Sequence, residues 1–201
     1  MNVIDYIEKS EDPWSLKSIG KNPKIVKMLE KEIGKKGDIL DIGGGFGFYA
    51  DVLRELGNNA FVLDNSGKMV REGREMFPLV KFKKGVAEKI PFPENSFDAV
   101  LCMGTLMYIE NKERAFQEVK RVLKKGGIFL LYERNRSDPI NTIVNLFKPT
   151  EQKIDSRDMF LTKSEIRSLA EKNGFKVNKI KGTGKGIIRQ IRKDRKKRCG
   201  Y

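Results

Sequence analysis

The chain has 201 residues, and 41 lysines and arginines outnumber 27 aspartates and glutamates, which gives a net charge of +14 at pH 7. It contains no histidine, which excludes a histidine base and any metal site with a histidine ligand. Two cysteines argue against a disulfide framework and no apolar stretch approaches about 18 residues, so we expect a reduced, cytoplasmic protein without a metal.

The first part of the chain predicts a helical cover over residues 1–34. Asn22 suits the N-cap of a helix, Pro23 suits its first turn, and Gly34 ends it. From residue 38 onward, apolar runs bounded by turn residues alternate with runs of helical spacing. The predicted core elements are strands 38–42, 60–64, 80–83, 97–103 and 127–133 and helices 46–56, 66–76 and 112–124.

The alternation of strands and helices changes after residue 134. Residues 135–160 hold prolines around an apolar run and are interpreted as an insertion over the active site. Residues 189–198 include seven basic residues and one acidic residue, a composition typical of an anion-binding surface or a solvated tail. The last predicted elements are a helix over 163–172, strands over 175–181 and 186–192, and a basic tail over 192–201.

The order of elements predicts the fold class. Alternating strands and helices require right-handed crossovers, which give an α/β, doubly wound, Rossmann-like and mostly parallel sheet in a single domain over 1–191. Ligands of such sheets bind at the carboxyl ends of the strands. Asp41, Asp64, Ala87 and Met103 all fall at predicted strand ends.

A glycine-rich turn joins the first strand to the helix that follows it. Residues 41–47 read Asp-Ile-Gly-Gly-Gly-Phe-Gly, which lets a ligand approach bare backbone at a helix N-terminus. A pyrophosphate is the usual occupant, but Asp41 would repel a phosphate at about 4 Å by roughly 4 kcal/mol at an effective dielectric of about 20. The turn therefore favours a cationic ligand over a nicotinamide dinucleotide, and the alternative is that Asp41 only caps the turn.

Four further segments follow this turn in a recognisable order, namely 60–64, 85–93, 96–102 and 126–131. Together with residues 41–47 they resemble the class I S-adenosylmethionine-dependent methyltransferases, and among them the type 11 methyltransferases. The resemblance implies S-adenosylmethionine as the cofactor and a seven-stranded sheet whose last strand is antiparallel. The residues that it places at the cofactor are Asp41, Gly43, Gly44, Gly45, Gly47, Asp64, Asn65, Val86, Ala87 and Met103.

The resemblance also implies individual roles. Asp64 would accept both ribose hydroxyls, as a carboxylate can, and the backbone N–H of Ala87 would serve a ring nitrogen of adenine. Val86 departs from the pattern because the family usually has aspartate there. That change removes a charge-assisted hydrogen bond worth roughly 1.5–3 kcal/mol.

The catalytic residues are left open. Methyl transfer depends mainly on alignment, but an oxygen or protonated nitrogen acceptor needs a base. Tyr108, Glu110 and Glu133 follow the fourth and fifth strands, and Tyr108 is preferred because many relatives carry histidine there. A packing or surface role is the alternative for each of the three.

The methyl acceptor is predicted to be a small molecule. Tyr6, Trp14 and the 135–160 insertion supply aromatic and aliphatic side chains that suit an apolar compound. The first alternative is an RNA or ribosomal-protein methyltransferase that docks through the basic tail. The second alternative is a module that binds the cofactor without catalysis, which the substitution at Val86 and the missing base favour.

Overall fold

The computed structural model describes residues 23–133, 161–182 and 187–193. Three sequence predictions therefore lie wholly or largely outside the described residues. They are the part of the N-terminal cover that holds Tyr6 and Trp14, the 135–160 insertion, and the basic tail from residue 194 onward.

Seven strands form one sheet in the described part of the chain, in the order β3-β2-β1-β4-β5-β7-β6. Each neighbouring pair from β3 to β5 is parallel, whereas β7 is antiparallel to β5 and β6. The predicted α/β, Rossmann-like fold with a parallel sheet is confirmed. The strands are β1 (Asp38–Ile42), β2 (Asn59–Asp64), β3 (Lys81–Lys84), β4 (Phe97–Met103), β5 (Leu123–Glu133), β6 (Phe175–Gly182) and β7 (Ile187–Lys193).

Three helices begin at polar residues that cap them. The Ser66 hydroxyl accepts from the Met69 N–H, and the Asn111 side chain accepts from the Arg114 N–H. Thr162 forms a capping box with Glu165. The helices are α1 (Pro23–Glu32), α2 (Phe48–Glu55), α3 (Gly67–Met76), α4 (Lys112–Val122) and α5 (Lys163–Lys172), with a 3-10 helix at Leu106–Tyr108.

Apolar clusters lie on both faces of the sheet. The larger cluster packs α4 and α5 against the strands, and in it the rings of Phe116 and Phe129 lie 5.3 Å apart, centroid to centroid. The second cluster joins α1 and α2 to the sheet through Leu29 and Leu53. Because helices cover both faces, the carboxyl ends of β1, β2 and β4 form the accessible edge, where a ligand site is expected.

None of the helices in the described ranges combines the length and the apolar content that a membrane crossing requires.

Candidate functional site

The turn after β1 presents backbone atoms at the carboxyl edge of the sheet. The Gly43 N–H donates to the Leu63 carbonyl at 2.7 Å, which ties the turn to the end of β2. Gly45 has a φ of +55°, a conformation that glycine adopts at little cost. A Cβ built on Gly45 would have only the Met69 sulfur within reach, at 4.0 Å, so this side of the turn is open.

Asp64 ends β2 and faces the glycine turn. Its Oδ2 accepts from the Gly45 N–H and its Oδ1 accepts from the Ser66 N–H, each at 2.9 Å. A carboxylate offers about four acceptor positions, so one that accepts from backbone N–H groups can also accept from ligand hydroxyls. Asn65, which follows, is exposed at the same strand end.

Asp41 lies beneath the glycine turn and is the least satisfied polar group of the site. Its side chain is 1% exposed, and neither carboxylate oxygen has a hydrogen-bond partner among the described residues. Burial raises the pKa of Asp41 to about 7, and the charge of Asp64 adds to the rise. A buried polar group without a partner costs roughly 1–3 kcal/mol, more when it is charged. A cationic ligand group beside Asp41 would remove this cost.

Close packing surrounds Asp41. A Cβ built on Gly44 would lie 2.8 Å from Oδ2 of Asp41 and 3.1 Å from a methyl carbon of Val62. Tyr49 of α2 interacts with Asp41, because burial and then the charges of Asp41 and Tyr132 raise the pKa of Tyr49. The turn therefore needs glycine at position 44.

A second turn, over residues 85–89, stands beside Asp64. The Gly85 N–H donates to the Asp64 carbonyl at 2.9 Å, and the Lys89 N–H donates to the Val86 carbonyl at 3.2 Å. Val86 is 42% exposed, whereas Ala87 is buried. The predicted adenine-contacting residues thus adjoin the predicted ribose-binding carboxylate.

The loop after β4 meets the glycine turn. The Thr105 hydroxyl donates to the Gly43 carbonyl at 3.2 Å, and the Gly104 N–H donates to the Tyr132 carbonyl at 2.7 Å. Met103 is half-buried at the end of β4, and a Cβ built on Gly104 would meet no atom within 4 Å. The Cβ position of Gly104 therefore faces open space beside this contact.

The candidate bases occupy different environments. Tyr108 lies on the 3-10 helix and is 38% exposed, and Glu110 is exposed beyond it. Glu133 is only 4% exposed and accepts from the Leu106 N–H at 2.6 Å. Glu133 therefore anchors the 3-10 helix to β5. Within the described ranges, His, Cys, Asp and Glu side chains form no group of three that could hold a metal.

Cys102 lies in β4 directly below this loop. Its side chain is buried, and burial, followed by the charges of Glu133 and Asp41, raises the pKa of the thiol well above its usual value. Backbone N–H groups of Thr105 and Leu106 oppose that rise. Cys102 is therefore a protonated core side chain rather than a nucleophile.

The structure gathers all the predicted cofactor residues at one edge of the sheet, although their contact with a cofactor remains a prediction. Sequence reasoning missed Thr105, Tyr49 and Tyr132. Thr105 follows directly on the predicted end of β4, which was an available signal, whereas the two tyrosines come from elements whose relative placement the sequence does not reveal.

Comparison with known proteins agrees with this geometry. Residues 40–131 match a family described as a methyltransferase domain. The chain is 28% identical over 152 residues to a probable S-adenosylmethionine-dependent methyltransferase of Mycolicibacterium smegmatis, covering 74% of this chain and 56% of that protein. It is 34% identical over 120 residues to a ubiquinone/menaquinone biosynthesis C-methyltransferase of Pasteurella multocida, covering 54% of this chain and 45% of that protein.

The match over residues 40–131 and these relatives support a class I, S-adenosylmethionine-dependent methyltransferase. A solved S-adenosylmethionine-dependent methyltransferase of Aquifex aeolicus has the same fold, with a TM-score of 0.72 at 19% identity over 92% of this chain and all of that one. S-adenosylmethionine is the cofactor that this family implies. The chain spans about half the length of the curated relatives it matches.

Proposed function

We propose that the protein binds S-adenosylmethionine at the carboxyl edge of its sheet and transfers the methyl group to a small molecule in the cytoplasm. The observation that supports this best is the buried, unpartnered carboxylate of Asp41 beneath an open glycine turn. Such a carboxylate favours a cation and disfavours phosphate. S-adenosylmethionine carries a sulfonium and an ammonium and has no phosphate.

In this proposal, different residues at the carboxyl edge contact different parts of the cofactor. Asp41 attracts the positive charge from below the glycine turn, and Gly43, Gly44, Gly45 and Gly47 let the cofactor approach the backbone. Asp64 accepts the ribose hydroxyls, and Asn65 extends that contact. Ala87 offers its backbone N–H to the base, with Val86 beside it, and Met103 packs at the end of β4.

In methyl transfer the protein contributes mainly the alignment of the two reactants. The bound cofactor supplies a methyl group on a sulfonium, and that group leaves sulfur as the acceptor atom forms its new bond to carbon. Holding two reactants in line contributes up to roughly 7–11 kcal/mol. If the acceptor must lose a proton, the proposed base is Tyr108, whose side chain is exposed.

Two observations support a small-molecule acceptor. A ubiquinone/menaquinone biosynthesis C-methyltransferase of Pasteurella multocida is 34% identical to this chain over 120 residues. Val86, which follows β3, and Tyr108, which follows β4, are exposed large apolar or aromatic side chains. We propose one domain over 1–191, in which the cover at 1–34 and the insertion at 135–160 complete the acceptor pocket.

The charge of the chain favours a second candidate, an RNA or ribosomal-protein methyltransferase. Seven basic residues against one acidic residue between 189 and 198 suit contact with phosphates. RNA affinity that falls steeply with salt and weakens on deletion of residues 192–201 would support this candidate. Equal affinity of the truncated chain would exclude docking through the tail.

Calorimetric titration tests the cofactor site. We expect S-adenosylmethionine and S-adenosylhomocysteine to bind and NADH to show no heat of binding at millimolar concentration. Binding of NADH without binding of the sulfonium compound would overturn the proposal. Tritiated-methyl transfer to extract fractions of RNA, protein and small molecules then identifies the acceptor class, and cofactor binding without transfer to any fraction would indicate a non-catalytic module.

A further inference from the structure

The turn at residues 85–89 offers an unusual surface for a nucleoside base. Gly85 is hydrogen-bonded to the carbonyl of Asp64, so this turn begins next to the carboxylate proposed for the ribose. The side chain of Val86 in this turn is 42% exposed and can neither donate nor accept a hydrogen bond. The backbone carbonyl of Val86 already accepts from Lys89 at 3.2 Å.

The carboxylates near this turn are engaged in holding it in place. Glu88 accepts from the Asn111 N–H at 3.3 Å, which ties the turn to the N-cap of α4. Glu118 accepts from the Ile90 N–H at 2.9 Å and forms an ion pair with Arg121 at 2.7 Å. Both carboxylates therefore accept from backbone N–H groups beside the turn.

We propose, on the basis of the function proposed above, that this protein binds its cofactor without recognising the exocyclic amino group of adenine. The base is held by its ring, through the Ala87 N–H and apolar contact with Val86. Binding should therefore tolerate removal of that amino group. A site with a charged acceptor at position 86 would bind the ligand without the amino group more weakly, because a hydrogen bond to a charged acceptor is worth roughly tenfold or more in affinity.

The test compares two ligands on three proteins by calorimetry. The ligands are S-adenosylhomocysteine and its 6-deamino analogue, which carries purine in place of adenine and keeps every ring nitrogen. We expect their dissociation constants for the wild-type protein to agree within about twofold. Val86→Asp should bind the adenine form at least about tenfold more tightly than the deamino form.

Leu79→Asp is the matched control, because it makes the same kind of change at an apolar side chain that is 72% exposed and outside the site. It should keep the wild-type ratio of the two dissociation constants. Because Val86 is itself 42% exposed, Val86→Asp should not disturb the fold.

Three results would overturn the inference. If the wild-type protein binds the adenine form more than about tenfold more tightly than the deamino form, another group accepts from the amino group. The proposed function would still stand in that case, because S-adenosylhomocysteine binds. A Val86→Asp ratio unchanged from wild type would mean that Val86 does not adjoin the base. Failure of the wild-type protein to bind either ligand would remove the proposed function itself.

Discussion

The carboxylate of Asp64 accepts the backbone N–H of Gly45 at 2.9 Å, across 19 residues of sequence. The end of β2 therefore holds the glycine turn of β1 in its open shape. The same carboxylate is the proposed acceptor for the ribose hydroxyls. One side chain thus supports the turn and contributes to the site that the turn forms.

Replacement of Asp64 by alanine should abolish measurable cofactor binding, because it removes the ribose acceptors and releases the N–H groups of Gly45 and Ser66. Asp64→Asn keeps one acceptor oxygen and should weaken binding by tenfold or more. Calorimetric titration with S-adenosylhomocysteine measures both effects. Ser66→Ala is the control: it loses the cap of α3, costs about 1 kcal/mol of stability and should leave affinity nearly unchanged.

The stability of the protein should fall between pH 4 and pH 7 through Asp41. The pKa of Asp41 is raised from 3.8 to about 7 in the folded state, so the folded chain holds a proton that the unfolded chain has released. The free energy of unfolding therefore decreases as pH rises through this window, by on the order of 4 kcal/mol. Urea unfolding of the wild type and Asp41→Asn from pH 4 to pH 8 measures the difference, and parallel pH profiles would contradict it.

Binding of a cationic cofactor should release a proton from Asp41 below pH 7. A positive charge beside the carboxylate favours its ionised form, so the folded protein gives up the proton as the ligand enters. Titrations at pH 6 in buffers of different ionisation enthalpy measure the number of protons released. Asp41→Asn should release none, and an equal release by both proteins would assign the proton to another group.

Gly44→Ala should destabilise the protein by roughly 1–3 kcal/mol, because the added methyl would lie 2.8 Å from the buried carboxylate of Asp41 and close to Val62. Gly67→Ala is the matched control at the first residue of α3, where a Cβ would meet only the flexible end of Lys84, at 3.4 Å. It should be neutral or slightly stabilising, since alanine favours a helix. Thermal unfolding measures the stability of both variants. A smaller loss of stability in Gly44→Ala than in Gly67→Ala would contradict the prediction.

Glu133→Ala should cost roughly 1–3 kcal/mol of stability by leaving the buried Leu106 N–H without its acceptor. Glu133→Gln keeps an oxygen at that position and should lose less. Hydrogen exchange at the Leu106 amide provides a local measurement, with faster exchange expected in the alanine variant. Unchanged exchange would show that Glu133 does not anchor the 3-10 helix.

Local signals in the sequence predicted most of the fold. The limits of β1 and of the helix over 163–172 agree with the prediction because apolar spacing and caps define them. The helix predicted from residue 46 begins at Phe48, since Gly47 has a φ of +88° and cannot continue a helix. β5 begins at Leu123 instead of 127, because Leu123 is extended and pairs with Phe97.

The candidate site was predictable only in part. Asp41 and Asp64 end apolar strands, and parallel topology places such residues along one edge. The sequence could not reveal that Asp41 has no hydrogen-bond partner among the described residues, because that depends on how Gly44 and Tyr49 pack around it. The contact of Glu133 with Leu106 joins residues 27 apart and depends on the completed sheet.

Alkylation of the buried thiol of Cys102 can report how often the centre of the sheet opens. Alkylating reagents attack the thiolate, and both the burial and the raised pKa of Cys102 suppress that form in the closed fold. With Cys199→Ser, Cys102 becomes the single cysteine of the chain. Its modification rate would then report how often β4 separates from its neighbours, and slower labelling in the presence of a ligand would measure how far that ligand holds the strands together.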